Sequence, residues 1–165
     1  MTTVRVFVTG LAIVLAVVLQ GTLVARLPLP GGVPNLAVLL VAGIALAVGA
    51  TAGLAVGFTA GTLADLLSDH PVGVLALCLA LVGFAVGLLE YDPDRGLFWP
   101  IIVVAAAATA TYLLYTVVLF LVGDRAGSVV ADLPSAVIYD VILTPLVIPL
   151  VAAAARRLGA PGSVP

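Results

Sequence analysis

The sequence predicts an all-α, polytopic membrane protein built as a compact bundle of about six transmembrane helices. Apolar residues make up 64% of the chain and charged residues only 8%, with a mean hydropathy of +1.37. Soluble domains average about 45–50% apolar and about 25% charged residues. The few charges are also clustered, which leaves uncharged stretches long enough for spans of about 20 residues. A soluble fold would need polar surface that this composition does not supply.

The first half of the chain holds three predicted helices. The first covers about residues 5–25, and it is too long for the apolar region of a removable signal peptide. Residues 27–35 interrupt the helical pattern with spaced prolines and paired glycines. Two shorter helices are predicted at about 36–49 and 51–67. One long tilted helix or a re-entrant element is the alternative, although a single helix of that length would far exceed the bilayer.

The second half holds three more predicted helices, at about 72–89, 98–122 and 134–155. The polar stretches at 90–96 and 123–133 are predicted to be loops between them. Residues 1–158 are therefore expected to form a single transmembrane domain, followed by a disordered tail at 159–165.

The basic residues predict the orientation. With an even number of spans, both termini lie on one side of the membrane. That side carries four arginines: Arg5, Arg95, Arg156 and Arg157. The opposite side carries Arg26 and Arg125. Because cytoplasmic loops are enriched in Lys and Arg, both termini are predicted to be cytoplasmic.

A row of small residues marks the third predicted helix. The row consists of Gly49, Gly53, Gly57 and Gly61, followed after the same four-residue step by Asp65. Such positions stack on one helix face, and in lipid a glycine face allows two backbones to approach closely. The row is therefore predicted to form either a groove for a partner's helix or a tight contact with a neighbouring helix of this chain. Asp65 would then bind something polar or cap a nearby loop.

Asp140 is the other intramembrane acid, and it lies in the outer third of the last predicted helix. A charge at that depth costs roughly 2.5–3.5 kcal/mol, so it is expected to face protein. One interpretation is that the two acids bind a partner or solute. The other is that they pair with neighbouring polar groups and hold the bundle together: Arg26, Arg125, Tyr112 or Tyr115.

Two prolines should bend the last helix. Pro145 and Pro149 each remove a backbone hydrogen bond. Broken helices line binding sites in some transporters, although they also occur without that role.

The sequence contains few features that would indicate an enzyme or a nucleic-acid-binding protein. Asp69-His70 has no second His or Cys nearby in the sequence to complete a metal site. Two membrane aspartates could form an acid/base dyad, but nucleophile–base sets and phosphate loops are missing from the sequence. No basic patch suggests nucleic acid. The chain is predicted to be non-enzymatic, without cofactor or metal.

Several motifs resemble the MreD family of the bacterial rod-shape machinery. The matching segments are Leu19-Gln20, Pro34-Asn35-Leu36, the stretch from Gly57-Phe58 through Gly61 to Asp65-Leu66-Leu67, Pro71-Val72-Gly73 and Leu143-Thr144-Pro145-Leu146. The resemblance covers most of the chain, and the distinctive part is the Gly-Phe…Gly…Asp…Pro-x-Gly pattern.

This resemblance implies a non-enzymatic subunit of the cell-elongation complex in the bacterial cytoplasmic membrane. Its expected partner is an MreC-like single-span protein, with RodA and a penicillin-binding transpeptidase in the same complex, and its expected role is to help regulate peptidoglycan synthesis and cell shape. The expected architecture is similar to that of the S components of energy-coupling-factor transporters.

The alternative function is a solute-binding membrane subunit of that transporter type. Ala12 and Ala16 form the Ala-x-x-x-Ala step with which those subunits dock, and the outer acids Asp65 and Asp140 would contact a cationic solute. A selective solute site normally needs several convergent polar groups, which are scarce here.

Overall fold

Six α-helices form the computed structural model, which describes residues 3–22, 33–67, 72–89, 96, 98–123 and 127–157. The helices are α1 Thr3–Thr22, α2 Leu36–Val48, α3 Ala50–Leu66, α4 Val74–Gly87, α5 Phe98–Val122 and α6 Gly127–Arg157. No strand occurs in these ranges, so the all-α fold class is confirmed. The predicted tail at 159–165 and most of the predicted loop at 90–96 lie outside the described residues.

Helix α2 lies at the centre of the bundle. It contacts each of the other five helices. Its 13 residues are all apolar or glycine, and nine of them are buried. A helix that is apolar on every side has no face for water, which explains why this short segment is enclosed by the longer ones.

The outer surface of the bundle is apolar. Large side chains such as Leu15, Phe58, Leu81, Phe120 and Leu146 are each between 49% and 77% exposed. Soluble proteins rarely expose continuous apolar surface on this scale. The surface therefore fits a lipid environment.

Two helices are long and apolar enough to cross a membrane. They are Phe98–Val122, which is α5, and Ala131–Val151, which is the middle of α6. Only 28% and 22% of these segments are buried, unlike the core helix of a soluble protein. Helices α2, α3 and α4 are apolar but shorter, with 13, 17 and 14 residues. At about 1.5 Å per residue, α2 is about 20 Å long, against a hydrocarbon core of about 30 Å.

A reversal at Gly49 separates α2 from α3. Gly49 has φ +108° and ψ −179°, a conformation open essentially to glycine, and it ends one helix and begins the next. The two helices fold back on each other, since Ala45 of α2 meets Gly53 of α3. Helix α4 then returns alongside α3, so the N-termini of α2 and α4 lie at the same end of the bundle. We call this the polar end.

Helix α6 begins earlier than the sequence indicates. The prediction placed a loop at 123–133 and the helix start at Pro134, but α6 begins at Gly127 and Pro134 lies inside it. The loop prediction is therefore wrong for residues 127–133. The polar composition of this segment reflects a helix that extends beyond the apolar span rather than a break in the helix.

Candidate functional site

The glycine row of α3 lies directly against the backbone of α4. A methyl group built on Gly53 would overlap the carbonyl oxygen of Gly83, and one on Gly57 would overlap that of Leu79. One on Gly61 would overlap Cα of Ala76. Each position therefore requires a residue without a side chain, because the atoms opposite are backbone and cannot rotate away.

The contact is reciprocal, because α4 offers its own small residues to α3. A methyl group on Gly83 would overlap the carbonyl oxygen of Gly53, and one on Gly87 would overlap Cα of Ala50. Gly53, Gly57 and Gly61 are themselves buried. The α3 face that carries them is thus occupied by a helix of the same chain, which is the second of the two roles considered for it.

Gly49 belongs to a different structural feature. A methyl group on it would meet no atom within 4 Å, and its positive φ places it in the turn between α2 and α3. Its backbone nevertheless takes part in the α3–α4 contact, because a methyl group on Gly87 would also overlap the carbonyl carbon of Gly49. Gly49 therefore combines the turn conformation with a place at the end of the packed row.

Asp65 caps the N-terminus of α4. Its Oδ2 accepts hydrogen bonds from the backbone N–H groups of Gly73 at 2.8 Å and Ala76 at 3.1 Å. Its Oδ1 accepts from the N–H of Leu75 at 3.3 Å. The first N–H groups of a helix lack partners within the helix, and a carboxylate there also complements the helix dipole. Asp65 is 1% exposed, so this buried acid stabilises the α3–α4 pair.

The N-terminus of α2 is the second polar junction. Asn35 caps it, because its Oδ1 accepts from the N–H groups of Ala37 at 3.1 Å and Val38 at 3.3 Å. The side chain of Gln20 joins α1 to the same turn. Its Nε2 donates to the carbonyl of Pro34 at 2.9 Å, and its Oε1 accepts from the N–H of Leu36 at 2.7 Å.

Asp140 of α6 binds this same turn. Its Oδ1 accepts from the backbone N–H of Asn35 at 2.7 Å, and the residue is fully buried. Tyr112 of α5 shares a hydrogen bond with the side chain of Asn35 and lies close to Asp140. Side chains from α1, α5 and α6 therefore converge on the first turn of α2. We call Gln20, Asn35, Tyr112 and Asp140 the α2 junction.

The remaining polar candidates are distributed elsewhere. Tyr115 faces α4, where it packs with Val74 and Cys78, beside Leu119 of its own helix. Arg26 and Arg125, considered as partners for the acids, lie outside the described residues. The two acids lie at different helix starts, because Asp65 caps α4 whereas Asp140 accepts from Asn35, the residue before α2. The described residues hold no group of three or more His, Cys, Asp or Glu that could bind a metal.

The prolines lie on the outer side of α6. Pro145 and Pro149 are both exposed, while Thr144 beside them is buried and donates its hydroxyl to the carbonyl of Asp140 at 2.8 Å. Helix α6 continues through both prolines to Arg157. They therefore do not break the helix into separate halves that line an internal site.

Sequence reasoning missed three parts of the site. It gave no role to Gln20 or Asn35, although an Asn immediately before an apolar run is a typical N-cap signal. It also did not identify α4 as the partner of the glycine row. The matching small residues Ala76, Ala80, Gly83 and Gly87 were visible in the sequence.

Neither the curated proteins nor the solved structures gave a match to the chain. Residues 1–156 match the family described as rod shape-determining protein MreD. That range includes all six helices except the last residue of α6, and it confirms the resemblance seen in the motifs. The chain belongs to the MreD family and is a rod shape-determining membrane protein.

Proposed function

We propose that this chain is a non-enzymatic subunit of the cell-elongation complex that binds an MreC-like single-span protein and helps regulate peptidoglycan synthesis. In this proposal RodA and a penicillin-binding transpeptidase belong to the same complex. The observation that carries it is the family match over residues 1–156.

The use of the polar groups supports a scaffold rather than a catalyst. Both buried acids accept backbone N–H groups at helix starts. Gln20 and Asn35 also bind backbone groups. Catalysis needs side chains in mutually placed roles around a reacting atom. These side chains instead fix helices to one another.

The proposed membrane arrangement has six spans with both termini in the cytoplasm, in a bundle similar to the S components of energy-coupling-factor transporters. The apolar outer surface of the described helices supports it. The short lengths of α2, α3 and α4 are compatible with crossing, because a bilayer thins locally around short spans.

The transporter alternative has no observation in its favour. Ala12 and Ala16, which would serve as its docking step, pack inward against the core cluster that contains Val17, Leu40 and Val56. Asp65 and Asp140 are 1% and 0% exposed and already accept backbone hydrogen bonds.

Co-purification from membranes tests the proposal. The tagged full-length chain should retain the MreC-like protein of the same bacterium in mild detergent. Depletion of the chain from the cells should turn rod-shaped cells into rounded ones. In parallel, a chain with Gly57→Leu and Gly61→Leu should fail to fold, since both residues contact α4. Absence of the MreC-like protein from an intact wild-type preparation would overturn the proposal.

A further inference from the structure

The two buried acids differ in how their carboxyl oxygens are used. Both oxygens of Asp65 accept hydrogen bonds from backbone N–H groups at the start of α4. Oδ1 of Asp140 accepts from the backbone N–H of Asn35. Oδ2 of Asp140, however, is buried and has no hydrogen-bond partner among the described residues. Such an oxygen needs an explanation, because buried polar side-chain atoms nearly always have a partner.

Asp140 also lies deep in the apolar part of α6. The segment that is long and apolar enough to cross a membrane is Ala131–Val151. Asp140 lies nine residues after its first residue and eleven before its last. At about 1.5 Å per residue, these distances are about 14 Å and about 17 Å. The residue is 0% exposed, so the bundle encloses it near the middle of this segment.

The basic residues of the described helices are far from this carboxyl group. Arg5 precedes Gln20, the α1 member of the α2 junction, by 15 residues. This separation is about 22 Å along the helix. Arg156 and Arg157 follow Asp140 by 16 and 17 residues in α6, which is at least about 24 Å. These distances exclude an ion pair between Asp140 and any of the three arginines.

The other members of the α2 junction are neutral groups. Tyr112 of α5 supplies a phenol. The side-chain oxygens of Asn35 and Gln20 already accept backbone N–H groups. The other acid of α6, Asp132, precedes Asp140 by eight residues, which is about 12 Å. Cations such as Ca²⁺ and Mg²⁺ take roughly six or more oxygen ligands, so these groups do not complete a metal site around Oδ2.

A carboxyl group in these surroundings is more stable when it is neutral. Burial of an isolated charge costs far more than burial of a neutral polar group, and a charge is especially costly in the middle of a membrane. We propose that Asp140 is a proton-binding site, at which a proton taken up from water during folding forms an O–H bond on Oδ2. The neutral acid then joins α6 to the turn before α2, and Oδ1 remains the acceptor for Asn35 at 2.7 Å. The site lies within one chain and needs no partner protein.

Infrared spectroscopy tests the proton directly. A neutral carboxyl group has a C=O stretching band that a carboxylate lacks, and the band shifts when the proton is exchanged for deuterium. We expect this band in the purified full-length chain at neutral pH, and we expect Asp140→Asn to lack it. Absence of the band from the wild type would overturn the proposal. It would instead indicate a charged Asp140 that is paired with a residue outside the described ranges, such as Arg26 or Arg125.

Thermal unfolding in detergent tests whether the neutral form holds the helices together. Asp140→Asn imitates the neutral acid, because its carbonyl oxygen can accept from Asn35 and its NH₂ group replaces the O–H. We therefore expect its melting temperature to lie within a few degrees of the wild-type value. Asp65→Asn is the matched control and should melt clearly lower, because its NH₂ group would face N–H groups of α4. A large loss of stability in Asp140→Asn, or failure of this variant to fold, would refute the proposal.

Discussion

At Gly57 there is no room for one methyl group, because it would overlap the carbonyl oxygen of Leu79 on α4. Gly57→Ala is therefore expected to lower the free energy of unfolding by at least about 1–3 kcal/mol, the usual range for overpacking. Thermal unfolding in detergent measures the loss. Gly10→Ala is the matched control, since its methyl group would meet no atom within 4 Å. It should stabilise α1 by up to about 1 kcal/mol. Equal melting temperatures for the two variants would contradict the backbone contact.

The location of Asp65 could be predicted from the sequence, whereas its role could not. The step from Gly61 to Asp65 predicted that the acid lies on the packed face, and it is buried there. The acceptor role toward α4 could not be derived from that spacing alone. It depends on Gly73, Leu75 and Ala76 returning to the same end of the bundle, and that is a property of the tertiary fold.

Among the helices, the attachment of α1 to the rest of the bundle depends on Gln20. Helix α1 packs mainly on α2 and α3, and Gln20 is its polar connection to α2. Gln20→Leu should weaken this attachment by about 1–2 kcal/mol, the range measured for interhelical hydrogen bonds in model membrane peptides. Hydrogen exchange at the N–H of Leu36, which loses its acceptor, should become faster.

Thr22→Val is the control for that measurement. The hydroxyl of Thr22 is exposed and donates to the carbonyl of Val18 in its own helix at 2.6 Å. Its removal should leave exchange at Leu36 unchanged. If Gln20→Leu also leaves that exchange unchanged, the α2 junction does not hold α1 to the bundle.

Helix positions were predictable because long apolar runs set them, whereas helix pairing was not. The separate helices α2 and α3 follow from Gly49 between two apolar segments. The early start of α6 was missed because a polar segment followed by Pro134 resembles a loop and a helix start. Pairing of α3 with α4 required matching two rows of small residues, and alanine and glycine are common throughout this chain.

The whole molecule combines an internally bonded polar end with an apolar exterior. Capping groups are supplied across helices, by Asp65 to α4 and by Asp140 to the α2 junction. Buried polar groups in lipid need such partners. One oxygen departs from this pattern, because Oδ2 of Asp140 is buried without a hydrogen-bond partner among the described residues.

The same architecture predicts that the two ends of α4 lie on opposite sides of the membrane. Val72 and Leu89 flank α4 and are 66% and 41% exposed. In a Cys78→Ala background, Val72→Cys should react with a membrane-impermeant thiol reagent in intact cells. Leu89→Cys should react only after permeabilisation, because Arg95 follows it and basic residues favour the cytoplasmic side. A re-entrant α3–α4 pair would instead place both positions on one side. Identical labelling of the two cysteines would therefore rule out a six-span topology with cytoplasmic termini. Labelling of position 72 alone in intact cells would place the polar end on the outer face, and labelling of position 89 alone would reverse the orientation.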